Sequence, residues 1–330
     1  MSDESLLVRD LGEHGLLEKL QRFCPQDIIG DDGAILATTP NKSLVVTTDV
    51  LVDGVHFSDR TTTAFDVGWR ATAANLSDLA AMGATPLGIT VGLSLPGKKL
   101  VSWVEKLYQG ISACLRDYQT PLVGGDICRS AVTSIAITAL GEVIPQQAIR
   151  RSQARLGDAI VITGLHGLSR GGLELLQNPG KGDNLEPVER DRMIQAHQRP
   201  KPRLDLLPYL AKISQEIAIA GMDSSDGLAD AIRQICRYSG VGAVIDRGPA
   251  IFPGLIKLAG FSKAREWMLY GGEDFELVLC LPQNYALNLV RDLGGDAAII
   301  GKITEVPEIK LVDSNKLVTE LDIDREFRHF

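Results

Sequence analysis

The sequence predicts a two-domain α/β protein built on mixed sheets. Three observations carry that expectation. The chain has 330 residues, which suits two domains of ordinary size. Short aliphatic, β-branched runs alternate with longer stretches of helical periodicity. A polar segment, Pro145 to Leu156, interrupts the alternation and holds Arg150, Arg151 and Arg155. The boundary is drawn there, giving domains at 1–148 and 149–330.

Taken in order, Glu13 to Phe23 carries Leu16, Leu17, Leu20 and Phe23 at helical spacing, and Pro25 stops it. Gly30-Asp31-Asp32-Gly33 is either a turn or a shelf for a cation, because adjacent carboxylates repel unless a positive charge lies between them. Residues 34 to 49 read as a hairpin turning at Asn41-Lys42. Its second strand, Leu44-Val45-Val46, runs into Thr47-Thr48-Asp49. That cluster either begins a turn or offers hard oxygen ligands of the kind Mg²⁺ prefers. His56 follows in a loop, structural or placed to donate to an anion.

Asp66 reads as the N-cap of a helix reaching Met82, with Gly83 after it. Asn75 and Asp78 share one face of that helix. They form either a solvated face or a paired, metal-binding one. Pro86 to Pro96 is a strand. Its Gly92-x-x-x-x-Gly97-Lys98 falls short of a P-loop, since Lys99 stands where the metal-binding hydroxyl belongs. Val101, Val104, Tyr108, Ile111, Leu115 and Tyr118 form a helical stripe, on which Tyr108 fits a core position. Pro121 to Asp126 reads as a short strand ending in Gly124-Gly125-Asp126, where glycines permit close ligand approach. Thr133 to Val143 is another strand.

In the second half, a strand at Ala159–Ile162 leads through Gly164 into a helix ending near Gln177. Helical stretches follow at 188–196 and 204–216. Ile217 to Met222 runs into Asp223-Ser224-Ser225-Asp226-Gly227, and a helix starts at Leu228. Ser225 or Asp226 could cap that helix, which leaves the remaining oxygens unexplained. Gly271-Gly272-Glu273-Asp274-Phe275-Glu276 precedes the strand 277–281. The tail ends in Phe327 and Phe330.

Composition narrows the function classes. With 45% hydrophobic and 23% charged residues, the chain buries a core and is not disordered. A net charge of −8 argues against nucleic acid as a partner. The five cysteines form no C-x-x-C pair, which points to free thiols in a reducing compartment. The N-terminus lacks a signal-peptide pattern, and no apolar run is long enough for a bilayer. A cytoplasmic protein with no membrane partner is expected. The five histidines show no zinc spacing, and no Ser–His–Asp or Cys–His grouping is evident. Many carboxylates with neutral hydroxyls fit phosphoryl transfer, which depends on positioning and charge neutralisation.

The motifs together resemble the thiamine-monophosphate kinase family, within the superfamily of aminoimidazole ribonucleotide synthetase and selenophosphate synthetase. Gly30-Asp31-Asp32, Thr47-Thr48-Asp49, Gly54-Val55-His56-Phe57, Asn75 to Ala84, Gly124-Gly125-Asp126, Asp223 to Leu228 and Gly271 to Glu276 carry the likeness in that order. The resemblance implies a two-domain aminoimidazole-ribonucleotide-synthetase-like fold whose N-terminal sheets pair across a homodimer. The first domain would bind ATP and Mg²⁺, and the second would complete the site. The implied reaction is ATP-dependent phosphorylation of thiamine monophosphate, the last step in making thiamine diphosphate. The resemblance assigns Asp32, Thr47, Thr48, Asp49, Asp78, Asp126, Asp223 and Asp226 to Mg²⁺. It assigns Tyr108, Gly125, Asp126, Arg151 and Ser225 to ATP, and His56, Glu273 and Phe327 to the substrate. Asp49, Asp126 and Asp226 are the expected catalytic carboxylates. Two alternatives stay open: another ATP-dependent enzyme of the superfamily acting on a ribonucleotide, and a non-catalytic dimer that binds Mg-ATP.

Overall fold

The computed structural model describes residues 5–25, 28, 33–312 and 318–321. The chain divides into two compact units, one formed by residues up to 79 with 85–142, the other by 80–84 with 143 onward. Among the described residues no helix is long and apolar enough to cross a membrane. All five cysteines are free thiols.

The first unit is a four-stranded sheet with helices. Its strands are β1 (Ser43–Val52), β2 (Thr85–Leu95), β3 (Leu122–Arg129) and β4 (Ser134–Val143); its helices are α1 (Val8–Leu20), α2 (Ala64–Ala81) and α3 (Val101–Asp117). The order is β1-β4-β2-β3, with β2 antiparallel to β4 and parallel to β3. Pleating sends alternate side chains to opposite faces. Ile89, Val91, Leu93, Ile135, Ile137 and Ala139 form the buried face, and α2 packs there, with Leu79 against Gly141. Leu44, Val46 and Val50 lie on the other face of β1 and are 51%, 56% and 48% exposed.

Two local expectations are corrected in this unit. Residues 34–42 form no strand, so the hairpin is absent. Ile35 is almost fully exposed, and Glu142 instead anchors the approach to β1. Its carboxylate accepts hydrogen bonds from Thr39 N (2.8 Å), Thr39 Oγ1 (2.6 Å) and Lys42 Nζ (2.8 Å). Those donors draw its pKa down to about 2. Asp66 is not the N-cap of α2. The cap is Thr63, whose Oγ1 accepts from Asp66 N at 3.3 Å and donates to the Asp66 carboxylate at 2.6 Å.

The second unit holds strands β5 (Ala159–Ile162), β6 (Ala220–Asp223), β7 (Gly242–Ile245), β8 (Leu277–Leu281), β9 (Ala298–Thr304), β10 (Ile309–Val312) and β11 (Val318–Glu320). Its helices are α4 (Leu168–Gln177), α5 (Pro187–Gln198), α6 (Leu207–Ile213), α7 (Leu228–Ser239), α8 (Pro253–Ala259), α9 (Phe261–Tyr270) and α10 (Gln283–Leu293). The sheet order is β11-β10-β7-β9-β5-β8-β6. Only β7 and β10 pair in parallel, the other neighbours being antiparallel. The aliphatic runs of β5 and β8 are continuous because both faces are covered. Ile160, Ile162, Val278 and Cys280 enter one core with α7. Ala159, Val161, Leu277 and Leu279 enter another with Leu210 of α6 and Leu289 of α10.

Candidate active site

In the first unit the site begins on the helix-facing side of β1. Thr47 Oγ1 donates a hydrogen bond to Asp78 Oδ2 on α2. One pleat further, Asp49 N donates to Asn75 Oδ1 at 3.1 Å, and Asn75 Nδ2 donates to Ala71 O at 2.9 Å. Asn75 is fully buried. The polar stripe of α2 is therefore a strand-facing one, and the solvated-face alternative is excluded. Buried polar groups persist where they are paired, and this pairing fixes Thr47, Asp49 and Asp78 relative to each other.

Thr48 belongs elsewhere. Its side chain leaves β1 on the opposite face, 2.9 Å from Thr138 Oγ1 of β4. Thr47 and Thr48 therefore do not present their hydroxyls to one ion. Asp126 needs a similar correction. The strand expected to stop at Gly124-Gly125-Asp126 continues to Arg129. Asp126 pairs in register with Gly92, and its neighbour Cys128 pairs with Ser94. Gly92 is also opposite Ala136, two residues from Thr138. Asp126 thus shares the open face with Thr48, across the sheet from Thr47 and Asp49. Gly125 is required by packing, since a Cβ there would sit 2.3 Å from the Val91 carbonyl oxygen.

His56 sits in a tight turn after β1. Its Nδ1 accepts a hydrogen bond from Val52 N at 3.0 Å. A backbone N–H can only donate, so neutral His56 carries its proton on Nε2 and presents a donor there. Arg70 Nη1 holds the His56 carbonyl at 3.1 Å. Tyr108 is 5% exposed, and its ring lies 5.7 Å from that of Phe23. Burial pushes its hydroxyl pKa up. Its placement supports the core reading over an adenine platform. Asp32 lies outside the described residues.

In the second unit β6 ends at Asp223, 2% exposed, with Ser225 Oγ at 3.5 Å from its carboxylate. Asp226 is exposed. Helix α7 has Gly227 as its N-cap, at φ +103°. The N-cap position itself, expected of Ser225 or Asp226, is thus taken by Gly227. Arg151 Nη1 reaches Gln234 Oε1 of α7 at 2.6 Å, and Gln234 Nε2 reaches Asp230 at 2.6 Å.

The loop 271–276 is tied to this motif through the backbone. Glu273 N donates to Ser225 O at 2.7 Å, and Ser224 N donates to Glu276 O at 2.8 Å. Gly272 lies so close that a Cβ would stand 2.5 Å from Ser225 O. Glu273 and Phe275 both adopt left-handed backbone, at φ +67° and +53°. Such residues cost about 1–3 kcal/mol each and persist only when their surroundings over-determine them. Here the surroundings are visible. Asp274 points inward and accepts from Gly167 N (2.5 Å) and Ser169 N (2.8 Å) at the start of α4. Burial, reinforced by Glu276 and Glu273, outweighs those two donors and raises its pKa to about 7. Phe275 is buried. Glu276 accepts from Thr163 Oγ1 (2.5 Å) and Arg203 Nη1 (2.6 Å). The Glu273 side chain remains 36% exposed. Sequence reasoning missed the inward roles of Asp274, Glu276 and Arg203, because nothing in an acidic run tells which carboxylate turns in. Phe327 lies outside the described residues.

Residues 30–143 match the family model for the N-terminal domain of AIR synthase related proteins, and 155–314 match that for the C-terminal domain. The thiamine-monophosphate kinase of Synechococcus elongatus is 53% identical, over 100% of this chain and 99% of that protein. The chain belongs to the thiamine-monophosphate kinase family. Solved structures agree with the family. That of thiamine-monophosphate kinase from Stenotrophomonas maltophilia K279a is 34% identical with a TM-score of 0.78, covering 90% of this chain and 95% of its own. AaThiL complexed with AMPPCP and TMP is 31% identical with a TM-score of 0.75, covering 98% and 99%.

Proposed function

We propose that this chain transfers the γ-phosphoryl group of ATP to thiamine monophosphate, giving thiamine diphosphate, by direct in-line displacement. The observation that carries this reading is full-length identity of 53% to a thiamine-monophosphate kinase. AaThiL, of similar architecture, was solved complexed with AMPPCP and TMP.

The chemistry of the residues supports the reading. The acceptor is a phosphate already ionised at neutral pH, so no strong general base is needed. The barrier lies in aligning two anions. Among the described residues no three His, Cys, Asp or Glu side chains gather into a metal site of their own. Mg²⁺ is commonly held by one or two carboxylates together with substrate phosphates. Within the first unit we assign Thr47, Asp49 and Asp78 to Mg²⁺ binding, and within the second unit Asp223 and Asp226. When bound, Mg²⁺ would neutralise phosphate charge. His56 Nε2–H is assigned to the substrate phosphate, Glu273 to the substrate ring, and Arg151 and Ser225 to ATP.

We assign the protein to the cytoplasm as a homodimer, paired through the open face of the β1-β4-β2-β3 sheet. Leu44, Val46 and Val50 are exposed there, a pattern that marks interaction surfaces. Asp126 lies on the same face, so its part in nucleotide binding is assigned to the site of the partner subunit.

The test is ADP release from Mg-ATP with thiamine monophosphate or an aminoimidazole ribonucleotide precursor as acceptor. Turnover with thiamine monophosphate alone is the expected result. Turnover only with the ribonucleotide, or binding of ATP without ADP release under either condition, rejects the proposal. Asp49→Ala and Asp226→Ala should each abolish turnover while circular dichroism stays unchanged.

A further inference from the structure

A residue from another element lies close to Glu273. His197, in the last turn of α5, places Nδ1 3.9 Å from Glu273 Oε2. The same Nδ1 lies 3.1 Å from Ser169 Oγ in the first turn of α4. Ser169 and His197 are 1% and 3% exposed. Ser169 thus serves twice: its N–H binds Asp274 at 2.8 Å, and its hydroxyl contacts the imidazole. The two helices share a packed core through Leu168 and Leu175 of α4 and Met193 of α5, so both side chains rest on rigid elements.

The neighbouring carboxylates of the loop have structural partners. Asp274 is taken up by α4, and Glu276 by Thr163 and Arg203. Glu273 stands on a left-handed residue, with its side chain 36% exposed and the buried His197 imidazole close by. A buried, hydrogen-bonded histidine behind an exposed carboxylate is how proteins orient a ligand-reading group, much as outer partners orient metal ligands.

We infer that Ser169 and His197 are positioning residues that aim Glu273, and that this aimed carboxylate selects the acceptor by its ring. The ring class it would read is a cationic or amino-bearing aromatic heterocycle, for which a carboxylate supplies both charge and hydrogen-bond acceptors. The inference rests on the proposed phosphorylation of thiamine monophosphate. It adds two residues that act through Glu273.

Steady-state kinetics on the full chain with Mg-ATP and thiamine monophosphate test it. The proteins are wild type, Ser169→Ala, His197→Ala, His197→Asn, Glu273→Gln and the double variant His197→Ala/Glu273→Gln. His197→Ala should raise KM for thiamine monophosphate about tenfold while kcat and KM for ATP stay within about twofold. His197→Asn, which keeps a polar atom near the Nδ1 position, should recover most of the loss. In the Glu273→Gln background His197→Ala should add less than about twofold, because the two act through one carboxylate. A merely structural histidine would lower thermal stability and shift both substrates together. Multiplying effects in the double variant, or an unchanged KM in His197→Ala, overturns the inference. Should His197→Ala fail to fold, Ser169→Ala combined with Glu273→Gln decides on the same terms. A wild-type protein without thiamine monophosphate turnover overturns the functional proposal itself, and this inference with it.

Discussion

At the scale of single residues, the acidic loop shows how one run of carboxylates divides its labour. Asp274 retains its proton in the folded chain up to about pH 7, whereas an unfolded aspartate loses it near 4. Between those values the folded state binds more protons, so stability falls as pH rises. The slope is at most about 1.4 kcal/mol per pH unit. Asp274→Asn removes the titration and one of the two hydrogen bonds to α4, a loss that is constant with pH. In urea denaturation, the variant should therefore gain on the wild type between pH 5 and pH 8. Parallel curves for the two proteins would contradict the buried, proton-retaining carboxylate. At this scale the sequence was partly legible. Asp49, Asp78, Asp223 and Asp226 stood out because oxygens ended apolar runs or interrupted an alanine-rich helix. The face that Asp126 occupies was not legible, because it depends on where β3 ends and which strand it joins.

At the scale of elements, periodicity located most strands and helices, since each buries a stripe or an alternating face. The failures have local causes. The run Ala34-Ile35-Leu36-Ala37 is apolar without being buried, and Glu142, a hundred residues away, decides the path of that segment. The Gly124-Gly125 pair resembled a strand end because glycine is a common strand breaker. It instead lies within a strand, where the backbone of β2 comes close. Gly125→Ala would place a methyl 2.3 Å from the Val91 carbonyl oxygen, whereas at Gly124 the nearest atom is Thr90 Cγ2 at 3.8 Å. Gly125→Ala should therefore cost about 1–3 kcal/mol, read as a lower melting temperature, and Gly124→Ala should be close to neutral. Equal effects of the two substitutions would argue against the observed pairing of β2 with β3.

At the scale of the whole molecule, the proposed dimer makes a quantitative demand. If Asp126 serves the partner subunit, Asp49→Ala and Asp126→Ala chains, each inactive alone, should complement when mixed and allowed to exchange. Statistical reassortment gives about a quarter of wild-type activity, from one intact site in half of the symmetric dimers. No recovery from verified heterodimers would return Asp126 to its own subunit. That there are two units was legible from length, whereas the division lies between 142 and 143 and gives 80–84 to the second unit. The sheet orders were not, since register between distant strands leaves no trace in local pattern.

The strict alternation along β1 has a consequence for inheritance. Ten residues carry a reading frame of period two, with Thr47 and Asp49 on one parity and Thr48 and Val50 on the other. Deleting a single codon between Ser43 and Thr47 would exchange the parities. Thr47 and Asp49 would swing outward, Thr48 would take the place opposite Asp78, Val50 would take that of Asp49, and the composition would barely change. Length variation among descendants of this chain should therefore collect in the turns around β1 and spare the strand itself.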